Sequence, residues 1–218
     1  MSVQWSMRFT PVLWGLVLGG GLLFTLLCWQ LNAPWLASSD HTLGVRLVAW
    51  RDGVWAQLFF AYAVGANYVG KGGPTVLASL LVAALLWWRR RRYDALLWPL
   101  AVCGAWALNA VLKYGIERMR PAEWQHAVFA NGPSFPSGHA TVASAVAVVL
   151  CYLLAHSVFL PARRGVAISM VLLLWGGCLL ARPVLGVHYV SDVLAGAGVG
   201  VAWGALCLAW YRAQIERE

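Results

Sequence analysis

Two histidines, three cations and one carboxylate carry the chemistry that this sequence offers. His188 and Asp192 lie four residues apart, and on a helix that spacing puts both on one side. A carboxylate bonded to one imidazole nitrogen fixes the tautomer and leaves the other nitrogen free to attack. His139 is a second imidazole, able to supply the proton that a leaving alkoxide needs. Lys113, Arg120 and Arg182 add three positive charges. A phosphate group takes charge-assisted hydrogen bonds from such groups, and arginine can bind it in bidentate fashion. The stretch Pro136-Ser137-Gly138-His139 comes just before an apolar run. Gly138 lets the backbone approach an anion closely, the helix N-terminus adds donors, and Ser137 serves as a cap, a phosphate contact or both.

Each residue alone has an ordinary explanation. A lone histidine at a segment end is more often structural, a lone arginine near a span anchors lipid headgroups, and a lone serine caps a helix. What distinguishes this set is convergence, and the elements that carry the residues must supply it. Those elements are apolar. Of 218 residues, 61% are hydrophobic and 11% charged, too little polar surface for a soluble domain of this size. The chain reads as a single domain, 1–218, with lipid as its main solvent. Six apolar runs approach the length of about 20 residues that a bilayer demands: 9–29, 74–88, 96–112, 140–160, 165–180 and 193–211. The second is short but can be extended back past Lys71. A seventh run, 54–70, is ambiguous.

Charge decides the ambiguity. Basic residues flanking spans favour the cytoplasm. The basic groups are Arg8, the four arginines at 89–92, Arg163 with Arg164, and Arg212 with Arg217. Six spans with both termini inside put every group on the cytoplasmic side, which leaves 54–70 outside, partly embedded or folded against the membrane. The same topology carries Lys113, Arg120, His139, Arg182, His188 and Asp192 to the outer face, although none of them was used to set it. The expected architecture is therefore all-α: a polytopic bundle of six transmembrane helices with an outward-facing site.

Other features narrow the function. The formal charge of +8 does not point to nucleic acid, because the basic residues punctuate apolar segments and fit topology and anionic lipid. The five cysteines lie inside apolar runs without CxxC spacing, so neither a disulfide framework nor a zinc site is expected. No acidic cluster suited to Mg²⁺ accompanies the site residues. Trp29, Trp87, Trp88 and Trp210 sit at the ends of runs, where indole rings settle at a bilayer interface. The N-terminal run reads as an uncleaved signal anchor. Gly196, Gly200 and Gly204 form a smooth stripe, expected to pack within the monomer. His41, His126, His156, Glu117 and Arg118 receive no role.

Three segments resemble the signature motifs of the type 2 phosphatidic acid phosphatase (PAP2) superfamily. They are KYGIERMRP from Lys113 to Pro121, PSGH from Pro136 to His139, and ARPVLGVHYVSD from Ala181 to Asp192. Order and internal spacing match, with Ala181 in place of the usual serine before Arg182. The resemblance implies His188 as the nucleophile of a phosphohistidine intermediate, oriented by Asp192, with His139 protonating the leaving group. It implies that Lys113, Arg120, Ser137, Gly138 and Arg182 bind the phosphoryl oxygens. It also implies a metal-independent phosphatase without cofactor, acting on a membrane lipid phosphate. Relatives in bacteria take undecaprenyl diphosphate, phosphatidylglycerol phosphate, phosphatidic acid or lipid A. The implied place is the bacterial cytoplasmic (inner) membrane, with the site on the periplasmic or outer side. A lipid phosphotransferase would use the same site. A transporter would carry its ionisable residues at mid-span, and here they gather at one end.

Overall fold

Lipid offers backbone N–H and C=O groups no partner, so apolar runs of this length must satisfy themselves as helices. The computed structural model describes residues 2–51, 53–122, 125–157 and 160–217, and every regular element among them is helical. In chain order these are α1 (Ser2–Trp29), α2 (Pro34–Arg51), α3 (Gln57–Val69), α4 (Gly72–Trp88), α5 (Arg92–Ile116), α6 (Gly138–Ala155), α7 (Pro161–Val184) and α8 (Val190–Ile215), with a single 3-10 turn, Val54–Ala56, before α3. Five of them, α1, α5, α6, α7 and α8, are long and apolar enough to cross a membrane, and the bent pair α3–α4 makes a sixth candidate if counted as one span. Large apolar side chains such as Leu18, Leu81 and Leu173 stand on the outside of the bundle, as they do where lipid is the solvent.

Helix α8 is the hub, packing against α1, α5, α6 and α7. Its glycine stripe lies against α6. A Cβ on Gly200 would sit 2.1 Å from the Thr141 carbonyl oxygen, and one on Gly196 2.5 Å from that of Ser137. Only glycine allows two backbones this near, and the stripe is used inside the chain as expected. Away from the site, Leu13, Leu97, Val149 and Leu208 form an apolar core between α1, α5, α6 and α8.

The segment ahead of α4 differs from its expected form. The run 54–70 does not continue α4 backwards past Lys71. It forms the turn and α3, which packs on α7 and then bends by 67° into α4 at Gly70 and Lys71. At the bend Gly70 packs so closely on the His139 ring that a Cβ there would lie 2.6 Å from Cδ2. Helix α2, which sequence patterning did not define, packs on α7 and α8 and buries Asp40.

Candidate active site

Four chain segments meet where the helix ends converge. Lys113 lies in the last turn of α5 and Arg120 in the loop beyond it. Ser137 precedes α6, whose first turn holds Gly138 and His139. Arg182 occupies the last turn of α7, His188 the lead into α8, and Asp192 its first turn. Lys113, Arg120, Gly138, His139, Arg182 and His188 line one cavity of about 390 Å³. Asp192 is fully buried behind His188, and Ser137 is fully buried beneath Gly138.

His188 is not on the helix. The turn 185–189 presents it, and Gly186 makes that turn with φ 73°, so close to Gln125 that a Cβ would lie 2.0 Å from the Gln125 carbonyl oxygen. Asp192 accepts the Tyr189 backbone N–H at 2.9 Å, which caps α8, and with the same Oδ2 receives His188 Nδ1 at 3.3 Å. The pairing expected from helical spacing therefore arises from a helix cap. Arg120 approaches His188 Nε2 at 3.1 Å. A guanidinium only donates, so Nε2 holds the lone pair and Nδ1 carries the proton towards Asp192. Burial, and then the charges of Arg182, Arg120 and Lys113, hold the His188 imidazole well below its ordinary pKa. It is a neutral, oriented imidazole whose Nε2 lone pair meets Arg120 at the cavity.

The cations are fixed before any anion arrives. Arg120 donates to the carbonyls of Val187 at 2.7 Å, Gly132 and Asn131 at 3.0 Å each, and Pro133 at 3.3 Å. Lys113 donates to the carbonyls of Pro133 and Ser134. Arg182 donates to Asn67 Oδ1 at 2.7 Å, while its Nε finds no partner among the described residues. Ser137 Oγ also lacks one and makes no helix cap. A buried donor without a partner costs about 1–3 kcal/mol, and phosphate oxygens at this site are the kind of acceptor that would relieve it. Among the described residues no three His, Cys, Asp or Glu side chains come together as a metal site requires.

The PAP2 superfamily model matches residues 94–216 of the chain. The chain belongs to the PAP2 superfamily. Phosphatidylglycerophosphatase B of Bacillus subtilis is 30% identical over 183 residues, which cover 83% of this chain and 87% of that protein. The crystal structure of a transmembrane PAP2 type phosphatidylglycerolphosphate phosphatase from Bacillus subtilis superposes with a TM-score of 0.79 at 27% identity, covering 90% of this chain and 96% of that one. Decaprenylphosphoryl-5-phosphoribose phosphatase of Mycobacterium tuberculosis is 32% identical over 115 residues, 50% of this chain and 58% of that protein. As a PAP2 member this chain is a multi-span membrane phosphatase.

Several residues of this PAP2 site had no role in the sequence reading. Asn67 holds Arg182 with its side chain and accepts His139 Nε2 on its backbone carbonyl at 3.1 Å. Asn109 donates to the Pro136 carbonyl and to Thr141, bracing the Ser137 loop. Trp106 packs edge-on against His139 and fills the space beside Gly138. Lys71 brings a fourth cation to the cavity wall. Asn67 and Asn109 were visible as amides inside apolar runs, a costly placement that calls for partners. His126 and His156 each bond a carbonyl within five residues of their own position, away from the cavity.

Proposed function

We propose that the chain hydrolyses the terminal phosphate monoester of a membrane lipid, with phosphatidylglycerol phosphate as its first substrate, on the outer side of the bacterial cytoplasmic membrane. The observation that carries the reaction is the neutral His188, backed by Asp192, in a cavity shared with Lys113, Arg120 and Arg182. His188 Nε2 attacks phosphorus, the bond from phosphorus to the lipid oxygen breaks, and His139 gives that oxygen a proton. Water then attacks the phosphohistidine, His139 takes the water's proton, and phosphate leaves with His188 restored. The three cations, the Gly138 amide and Ser137 hold the equatorial oxygens, where phosphoryl transfer spreads its charge.

Two observations support the substrate. The Bacillus subtilis relatives act on phosphatidylglycerophosphate by name and match nearly the whole chain. Lys71 adds a cation beyond the three around His188, and it fits a lipid whose scissile phosphate lies close to a second one. Undecaprenyl diphosphate shares that property, and phosphatidic acid does not.

The test is phosphate release from phosphatidylglycerol phosphate by the purified protein in detergent and EDTA, wild type beside His188→Ala. Release by the wild type alone, with an acid-labile phosphoenzyme trapped on rapid quench, is the expected result. Activity in both proteins would remove His188 as nucleophile, and silence on this lipid, undecaprenyl diphosphate and phosphatidic acid alike would overturn the substrate class. Label passing to a second lipid in place of water would make the protein a phosphotransferase.

A further inference from the structure

Behind Asp192 lies a second tier of charge that the catalytic cycle above does not use. Arg118, inside the first motif, points away from the cavity wall formed by its neighbour Arg120. Its NH1 donates to Asp192 Oδ1 at 2.6 Å and to Ser191 Oγ at 2.7 Å, and its NH2 donates to Asp40 Oδ2 at 2.8 Å. The Tyr189 ring lies under the guanidinium, with its centroid 4.3 Å from the central carbon. Asp40, on α2, is 2% exposed and accepts the Ser191 backbone N–H at 3.0 Å as well as the Ser191 hydroxyl. Neither Arg118 nor Asp40 lines the cavity that holds His188.

The arrangement divides the work of one carboxylate. Asp192 Oδ2 serves His188 and the Tyr189 amide, while Oδ1 is held by Arg118 alone among the described side chains. A carboxylate fixed at one oxygen cannot rotate the other away from the imidazole. A single arginine at that position would also cancel the negative charge that a phosphorylated or protonated His188 needs nearby. Asp40 removes that difficulty. The chain of charges reads minus at Asp40, plus at Arg118 and minus at Asp192, so one net negative charge remains at the imidazole. Two buried carboxylates sharing one guanidinium would be costly without full hydrogen bonding, and here Ser191 and two backbone amides complete it.

From this geometry we infer that Arg118 and Asp40 are positioning residues for the His188–Asp192 pair: Arg118 aims the carboxylate, and Asp40 holds Arg118 and restores the charge. The inference rests on the reading of His188 as nucleophile. It makes α2 part of the catalytic apparatus although α2 carries no residue of the three motifs.

The experiment compares Arg118→Ala, Arg118→Lys and Asp40→Asn with the wild type in one detergent. It measures kcat on phosphatidylglycerol phosphate, competitive inhibition by inorganic phosphate, and thermal unfolding. Outer-tier residues that orient a catalytic group typically contribute about 10–100-fold. Arg118→Ala is expected to lower kcat by about 100-fold and Asp40→Asn by about 10-fold, while the phosphate inhibition constant moves by less than about threefold in both. Arg118→Lys, which keeps the charge and one contact, recovers part of the loss. A merely structural role would lower stability without this split between turnover and anion binding. The inference is overturned if folded Arg118→Ala turns over within twofold of the wild type, or if its phosphate inhibition weakens tenfold with kcat unchanged, which would make Arg118 a phosphate ligand. Should Arg118→Ala not fold, the near-isosteric Asp40→Asn decides in the same way. A silent wild type would instead fail the proposed function and is told apart by that control.

Discussion

Arginine stands at both ends of α5, and the two ends use it in opposite ways. At the start of the helix the four arginines at 89–92 face outward. Arg91 makes a surface pair with Asp94 at 2.8 Å with its side chain 61% exposed, and Arg92 rests over the Trp87 ring. Beyond the other end, about 35 Å away along a helix of 25 residues, Arg118 and Arg120 are held on several sides by carboxylates and carbonyls. The first group is free to follow solvent or headgroups, and the second is a scaffold set before the ligand comes. Charge content alone does not separate them. What separates them is how many fixed acceptors surround each guanidinium, because a preorganised cation loses little entropy when an anion binds.

Mutation can break this contrast from either end. The largest effect is expected at the base itself: His188→Ala should lower phosphate release by at least about a thousandfold, since no neighbouring imidazole occupies its position. Arg182→Ala removes a cation already aimed by Asn67 and should cost about 10²–10³ in kcat/KM, measured on the same lipid. The frame that holds the two histidines together is probed by Gly200→Ala. Its Cβ would meet the Thr141 carbonyl, so a loss of about 1–3 kcal/mol should appear as a lower Tm, while Gly15→Ala, with open space around it, should leave Tm unchanged.

The pH profile sharpens the comparison further. Burial and the charges of Arg182, Arg120 and Lys113 push the His188 imidazole downward, so it stays deprotonated as pH falls through the usual histidine range. The acid limb of kcat/KM set by this base is therefore expected below pH 6.5, and neutralising one of the cations by Lys113→Met should move it back towards higher pH. The smallest effect belongs to the opposite end. Replacing Arg90 and Arg92 by alanine together should leave kcat/KM within about twofold, because neither lies near the cavity.

Much of this was legible in the sequence. Apolar length marked five spans directly, and three motifs brought all eight candidate residues to one end of the bundle. The rest was hidden for physical reasons. The bend at Gly70 and Lys71 packs against a ring 69 positions later in the chain than Gly70, and an apolar run reads alike whether it continues straight or turns. The His188–Asp192 pair was expected for its spacing but forms through a cap, because the turn at Gly186 delays the helix until Val190. Asp40 gave no signal: it lies 78 positions from Arg118 in a helix without strong apolar patterning. Arg118 was inside a recognised motif and still received no role, since its partners are visible only in three dimensions.

One backbone hydrogen bond has a mechanical consequence. The Ser137 N–H donates to the Asp192 carbonyl at 2.9 Å, tying the loop before α6 to the first turn of α8 directly above their glycine-lined contact. The loop before α6 and the start of α8 are thus joined by this bond as well as by the close helix contact below it. On the proposed reading, a bilayer that bends or thins is expected to shift Gly138 and His188 together, since each sits beside one end of this bond.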